Sequence, residues 1–212
     1  MRMDIWSDVI CPWCYIGKRR LEAALDDFEH ADRVTVVWRA FQLDPSLAAQ
    51  PGPSAVEVMA GPGGDHARVR ARFAEISRIG AEDGLELRLG SAHPVNTFDA
   101  HRLSAWAREL DQQDAMVERL LHGYHTRNLN IADHTVLADL ASEAGLDRDE
   151  ALGVLGEGRY TDDVRTDLAE ARTVGARGVP TFALNGRKFH HGPPEVGPLV
   201  RLLRTAAASA PA

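Results

Sequence analysis

Cys11-Pro12-Trp13-Cys14 lies where a predicted strand meets a predicted helix, and it holds both cysteines of the 212-residue chain. The run Met3–Ile10 (MDIWSDVI) is apolar enough for a buried strand, and apolar residues recur at helical spacing after Cys14. Proline is favoured at the first helical position, so Pro12 sets Cys11 at or next to the N-cap. Two thiols one helical turn apart suit a reversible disulfide.

The predicted place of Cys11 has a chemical consequence. Unpaired N–H groups and the positive end of the helix stabilise a thiolate, so we expect a Cys11 pKa below the ~8.5 of a free thiol. The thiolate is the species that attacks disulfides. Cys14, one turn further into the helix, is then the expected resolving thiol.

Composition restricts the partners and the compartment. The net charge is −7, and no basic stripe could follow a phosphate backbone, so we expect no nucleic acid partner. No segment approaches the ~18 to 20 apolar residues of a membrane helix, and the N-terminus lacks the apolar core of a signal peptide. We therefore expect a cytoplasmic protein without a membrane partner. Structural disulfides are rare there, so a close cysteine pair is catalytic, redox-sensing or metal-binding.

A zinc site is the alternative that the cysteine spacing leaves open. Zinc needs two further ligands, and His122 and His125 do not have the H-x3-5-H spacing of a zinc pair. We therefore expect no metal and no bound cofactor, with glutathione as a candidate redox co-substrate. The expected substrates are thiols or disulfides, in proteins or small molecules.

The remaining pattern predicts an α/β fold interrupted by helices. A second buried strand, Arg33–Phe41, completes a βαβ unit with parallel strands. Between residues 51 and 158 the strand signal nearly vanishes, and amphipathic helical patterns follow one another. The predicted domains are therefore a thioredoxin-like domain of residues 1–50 and 159–212 and an all-helical insertion of residues 51–158.

The second half of the thioredoxin-like domain shows a helix from Thr161, a strand Thr181–Leu184, a return strand and a closing helix Glu195–Arg204. Asn185-Gly186 between the two strands is a strong signal for a two-residue hairpin. The segment therefore predicts a ββα unit that joins the sheet of the first half.

Gly178-Val179-Pro180-Thr181 stands at the entrance to that strand. Together with a C-x-x-C at an earlier strand end, it predicts a cis Val179-Pro180 bond that holds the Val179 backbone beside the sulfurs. Such a free backbone edge can bind an extended peptide or glutathione. We expect Cys11, Cys14 and Pro180 in the catalytic centre and Val179, Thr181 and Trp13 in contact with substrate, although Trp13 packing on the insertion is an equal alternative.

Four blocks of sequence resemble the DsbA superfamily, specifically its cytoplasmic FrnE-like branch. They are SDVICPWCYIGKRRL (residues 7–21), WRAFQLDP (38–45), NTFDAHRL (96–103) and GARGVPTFALNG (175–186). The resemblance spans nearly the whole chain. It implies a thioredoxin fold with a helical domain between its halves, and thiol-disulfide oxidoreductase or isomerase activity with Cys11 attacking, Cys14 resolving and Pro180 as the cis-proline.

Two other functions stay open. The superfamily also contains 2-hydroxychromene-2-carboxylate isomerases and kappa-class glutathione transferases, which usually have Ser at the place of Cys11 and lack the second thiol. A glutathione-dependent isomerase or transferase and a redox-sensing binding module are therefore alternatives, and the helical faces could support a homodimer. Asp8 is either a proton acceptor for the resolving thiol or a solvated turn residue.

Overall fold

The computed structural model describes residues 1–208. The strands are β1 (Arg2–Ser7), β2 (Thr35–Ala40), β3 (Thr181–Leu184) and β4 (Arg187–His191). The helices are α1 (Pro12–Asp26), α2 (Ala55–Ala60), α3 (His66–Glu82), α4 (Phe98–Glu109), α5 (Gln113–His125), α6 (His134–Glu143), α7 (Arg148–Gly156), α8 (Thr161–Thr173) and α9 (Val196–Ala208). No helix in this described part combines the length and the hydropathy of a membrane span.

The four strands form one sheet in the order β2-β1-β3-β4. β1 runs parallel to β2 and antiparallel to β3, and β4 returns antiparallel to β3. The predicted hairpin is confirmed, because Asn185 and Gly186 connect β3 to β4 with φ of 49° and 78°. Two consecutive positive φ angles are what a tight hairpin turn requires. The mixed sheet therefore unites the two halves of the chain as the thioredoxin-like prediction expects.

Three predicted elements have other bounds in the structure. β1 ends at Ser7 rather than Ile10, because the chain turns after Asp8 and the Cys11 N–H donates to the Asp8 carbonyl at 3.1 Å. β2 begins at Thr35, since a short 3-10 turn precedes it. The closing helix begins at Val196 and continues to Ala208, beyond the predicted end at Arg204.

Two groups of buried apolar side chains form separate cores. The sheet cluster contains core residues of the sheet, α1 and α9. It also contains Val56, Phe73, Ile76 and Leu89 from residues 55–91, which are called the α2–α3 region below. The bundle cluster contains the apolar faces of α4 to α7, and Val9, from the turn between β1 and α1, packs into it. The helical segment is thus shared between two cores. The domain boundaries at residues 50/51 and 158/159 stay a prediction, and residues 209–212 lie outside the described part.

A charged cluster joins α1 to the bundle. Lys18 is almost fully buried and bonds Asp114 of α5 at 2.8 Å and Glu22 of its own helix. Burial opposes the charge on Lys18, but these carboxylates outweigh it and raise the Lys18 pKa. Tyr15 donates to Glu118 of α5 at 2.7 Å. These polar bonds fix α5 against α1, the helix that Cys11 precedes.

Candidate active site

The start of α1 has the predicted geometry. Cys11 is the N-cap residue with an extended backbone, and Pro12 occupies the first helical turn. The Cys14 N–H donates to the Cys11 carbonyl at 3.0 Å. No side-chain hydrogen bond caps the helix, and the backbone N–H groups of Trp13 and Cys14 in its first turn favour the thiolate of Cys11.

The two thiols have opposite pKa displacements. The Cys11 pKa lies below its ordinary value, chiefly because the Cys14 thiol hydrogen-bonds its sulfur, with further help from the backbone N–H groups of Cys14 and Trp13. Burial raises the Cys14 pKa well above its ordinary value, and the bond to Cys11 raises it further. Cys11 is 5% exposed and Cys14 fully buried, and both are free thiols. The pair therefore combines one thiol whose pKa is lowered with one whose pKa is raised.

The proline loop lies directly against the dithiol. The Val179-Pro180 peptide bond is cis, as the sequence predicts. The Cys11 sulfur approaches the Val179 carbonyl oxygen at 3.7 Å. Pro180 packs on α1 at Gly17, where an added Cβ would lie 3.3 Å from the proline Cγ. The absence of a side chain at Gly17 lets the loop come this close to the helix.

The other two residues expected to contact substrate differ in position. Trp13 is half-buried, packs against the sheet cluster and also lines the cavity described below. Thr181 is fully buried, and its hydroxyl donates to the Gly178 carbonyl at 2.7 Å. Its side chain does not line the cavity. The structure thus brings Trp13 to the open side of Cys11 but leaves Thr181 inside the sheet.

An apolar cavity of about 430 Å³ opens beside Cys11. It lies between the start of α1, the proline loop and the α2–α3 region, and Leu43, Val58 and Met59 form part of its wall. Within residues 1–208, no group of three or more His, Cys, Asp and Glu side chains is arranged to hold a metal ion. The space next to Cys11 is mainly lined by apolar side chains.

His125 is a site residue that the sequence analysis misses as a neighbour of the dithiol. Its ring is fully buried, stacks on Tyr15, meets Tyr124 edge to face and lies in the cavity wall. Burial lowers its pKa to about 4, against the opposing pull of the Val9 and Cys11 carbonyls. Neither ring nitrogen makes a hydrogen bond of ordinary distance and angle, although the Val9 and Cys11 carbonyls lie near enough to favour a charged ring. The sequence does show that His125 follows Tyr124 on a helix with an apolar face, which indicates burial. It does not show that this face packs beside Cys11, because that contact depends on the tertiary structure.

Asp8 is fully buried, so the interpretation as a solvated turn residue is wrong. One carboxylate oxygen accepts from the Leu43 N–H at 2.7 Å, and the other lies 3.4 Å from His101 Nε2. His101 also contacts the Phe41 carbonyl at 2.9 Å. Asp8 therefore ties the active-site turn to the loop after β2, and its negative charge opposes ionisation of Cys11.

Fold and site together define a dithiol protein of the thioredoxin class. Residues 2–203 match the family model of the DSBA-like thioredoxin domain, and the chain belongs to this family. A crystal structure of a probable DsbA oxidoreductase from Streptomyces coelicolor is 34% identical, with a TM-score of 0.92 over 100% of this chain and 92% of that one. The predicted superfamily is thereby confirmed.

Two further matches extend the comparison. The protein YwbO of Bacillus subtilis is 26% identical over 186 residues, which are 87% of this chain and 86% of YwbO. A 2-hydroxychromene-2-carboxylate isomerase shares the fold at 18% identity, with a TM-score of 0.72 and full coverage of both chains. The fold is thus common to oxidoreductases and to an isomerase, and the side chains at the site must distinguish them.

Proposed function

We propose that this protein is a thiol-disulfide oxidoreductase that works through Cys11 and Cys14. The observation that carries the proposal is the pair of opposite pKa displacements at the start of α1. The Cys11 pKa lies below its ordinary value and Cys11 lines the cavity, whereas burial holds the Cys14 pKa well above its ordinary value and Cys14 does not line the cavity. Such a pair separates the roles of attacking thiol and resolving thiol.

In the reducing direction, the Cys11 thiolate attacks one sulfur of a substrate disulfide. The Cys11–substrate S–S bond forms, the substrate S–S bond breaks, and the first substrate sulfur leaves as a thiolate that takes up a proton. Cys14 then loses its proton and attacks Cys11, which closes the protein disulfide and releases the second substrate thiol. The substrate gains two electrons and the protein dithiol loses them. The oxidising direction is the reverse.

The Val179 backbone supplies the binding edge in this proposal. Its carbonyl lies beside the Cys11 sulfur, so an extended group in mixed disulfide with Cys11 would run along it. Trp13 would contact the same group from the cavity side. Thr181 acts through the loop, because its hydroxyl holds the Gly178 carbonyl and not substrate.

Glutathione is the proposed redox co-substrate, and the cytoplasm is the proposed compartment. Support comes from a fold neighbour, the cytosolic disulfide reductase DsbM of Pseudomonas aeruginosa, one structure of which contains GSH. Its identity to this chain is 21%, so this support is limited to the shared fold.

The first test is the redox equilibrium of the pair in a series of glutathione buffers, quenched with acid and read by alkylation and intact mass. A two-electron transition between dithiol and disulfide is expected. A potential near or above about −200 mV would favour oxidase or isomerase work over reduction. If the pair never closes, or stops as a stable glutathione adduct on Cys11, the glutathione-dependent isomerase or transferase becomes the better assignment.

A second test separates the two thiols. Cys14→Ser should accumulate a mixed disulfide with a small disulfide substrate and lose multiple turnover, because no resolving thiol remains. Cys11→Ser is the matched control and should form no adduct. If Cys14→Ser keeps the wild-type rate of disulfide turnover, the proposed roles are wrong.

A further inference from the structure

The cavity beside Cys11 has a definite chemical character. Its size lies within the range of small-molecule pockets, which is about 300 to 1,000 Å³. The charged side chains in its wall, Asp44 and Arg72, are both exposed at the rim and have opposite signs. Farther in, Phe73, Ile76 and Leu89 are buried and apolar. A charged group inside would therefore lose its water without gaining an ionic partner.

The mouth of the cavity carries a cluster of exposed apolar side chains. Leu43, Val58 and Met59 are 49%, 50% and 51% exposed, and all three lie in the cavity wall. Single exposed apolar residues are common, but a cluster beside a nucleophile indicates a binding surface. Leu110 is equally exposed at 49% but does not line this cavity, so it provides a matched reference.

Access to the nucleophile favours a small ligand. The Cys11 residue is only 5% exposed, and the Val179 carbonyl closes one side of its sulfur. A disulfide in a folded protein would need its sulfur to project beyond its own surface to reach this depth. A small molecule can enter the cavity and present its sulfur from within.

We propose that the cavity is a specificity pocket for small-molecule disulfides whose sulfur carries an uncharged, largely apolar group. The proposal rests on the proposed thiol-disulfide function and names its substrate class. In the first step the substituent occupies the pocket while its sulfur bonds to Cys11 and the other substrate sulfur leaves. Cys14 then closes the protein disulfide and releases the bound thiol, so both protons of the dithiol pass to the two product thiols.

The test measures the rates at which the reduced protein reacts with two uncharged disulfides. 4,4′-Dithiodipyridine carries an aromatic ring on each sulfur, whereas hydroxyethyl disulfide carries only a short polar chain. Their intrinsic reactivities differ, so each variant is compared with wild type for the same probe. Intact mass confirms that the Cys11–Cys14 disulfide is the protein product in every reaction.

Val58→Asp places a carboxylate in the pocket wall at a position that is half exposed to solvent. We expect the rate with dithiodipyridine to fall about tenfold and the rate with hydroxyethyl disulfide to stay within about twofold. Leu110→Asp adds the same charge elsewhere and should leave both rates unchanged. Any general electrostatic effect on the Cys11 thiolate would change both probes equally and would cancel in their ratio.

The other possible results of these rate measurements each overturn one part of the proposal. Equal slowing of both probes, or no slowing, overturns the pocket while leaving the proposed function intact. A wild-type protein that reduces neither probe overturns the proposed function itself. If Val58→Asp slows a disulfide-linked dimer of a short leucine-containing peptide more than it slows dithiodipyridine, the pocket accepts polypeptide and the assignment to small molecules is wrong.

Discussion

The sheet cluster and the bundle cluster contain similar side chains but differ in how much of each borders solvent, since the bundle cluster reaches the cavity at its margin, through Ala92 and Tyr124. In the bundle cluster, residues such as Leu103 and Leu137 are completely covered by α4 to α7. In the sheet cluster, Phe73 and Ile76 are buried yet border an open cavity of about 430 Å³. The α2–α3 region therefore forms part of the site, whereas the bundle holds α5 and its His125 in place.

The difference between the two clusters predicts that a truncated side chain in the bundle cluster causes the largest loss of stability. Leu137→Ala removes a fully buried side chain from a closed core, so we expect the free energy of unfolding to fall by about 2–5 kcal/mol. Denaturant titration measures this loss. The redox potential of the dithiol should not change, and a shift in that potential would show that the bundle does more than support the site.

His125 lies between the two clusters and should make stability depend on pH. An unfolded histidine binds a proton below about pH 6.5, but folded His125 stays neutral down to about pH 4. The unfolded state therefore takes up more protons in this window, and stability should fall as the pH falls, by about 3 kcal/mol from this residue alone.

His125→Phe tests this dependence because a phenyl ring can keep the packing on Tyr15 and Tyr124. We expect the variant to lose most of the stability change between pH 6.5 and 4. At pH 7 it should be at least as stable as wild type, because no unpartnered ring nitrogen is then buried. Urea titration at several pH values measures both effects, and an unchanged pH profile would exclude His125 as the cause.

Ile76→Ala enlarges the cavity from its buried wall. We expect a loss of about 2 kcal/mol in stability, since the lost side chain borders existing space and leaves less new cavity than in the bundle. The rate with dithiodipyridine, relative to hydroxyethyl disulfide, should also change, in contrast to Leu137→Ala. Identical probe ratios in the two variants would remove the functional difference between the clusters.

The smallest expected effect concerns helix caps. Ser54 caps α2 through a reciprocal pair with Glu57, and Asp147 caps α7 by accepting from the Glu150 N–H at 2.8 Å. Replacing either cap by Ala should lower stability by about 1 kcal/mol. Only Ser54→Ala should also reduce the dithiodipyridine preference, because α2 carries Val58 in the pocket wall. An equal reduction by Asp147→Ala would contradict the distinction.

Local chemistry made much of the fold predictable from the sequence. Pro12 indicated that the thiols lie at the start of a helix, and Asn185-Gly186 indicated the hairpin. Both signals are local, because they rest on the φ preferences of the residues themselves. The predicted strand over residues 3–10 is longer than β1, because Val9 and Ile10 are apolar yet lie in a turn.

The dithiol, the proline loop and the four blocks of family resemblance are properties of the sequence by itself, because each motif or block is a short run of residues adjacent along the chain. The cavity, the buried state of Asp8 and the contact of His125 with the site were decided by tertiary structure. Each of these brings together side chains more than 30 residues apart, such as Asp8 and the N–H of Leu43. Burial then sets the pKa of His125, because the surrounding elements remove the water that would stabilise its charge.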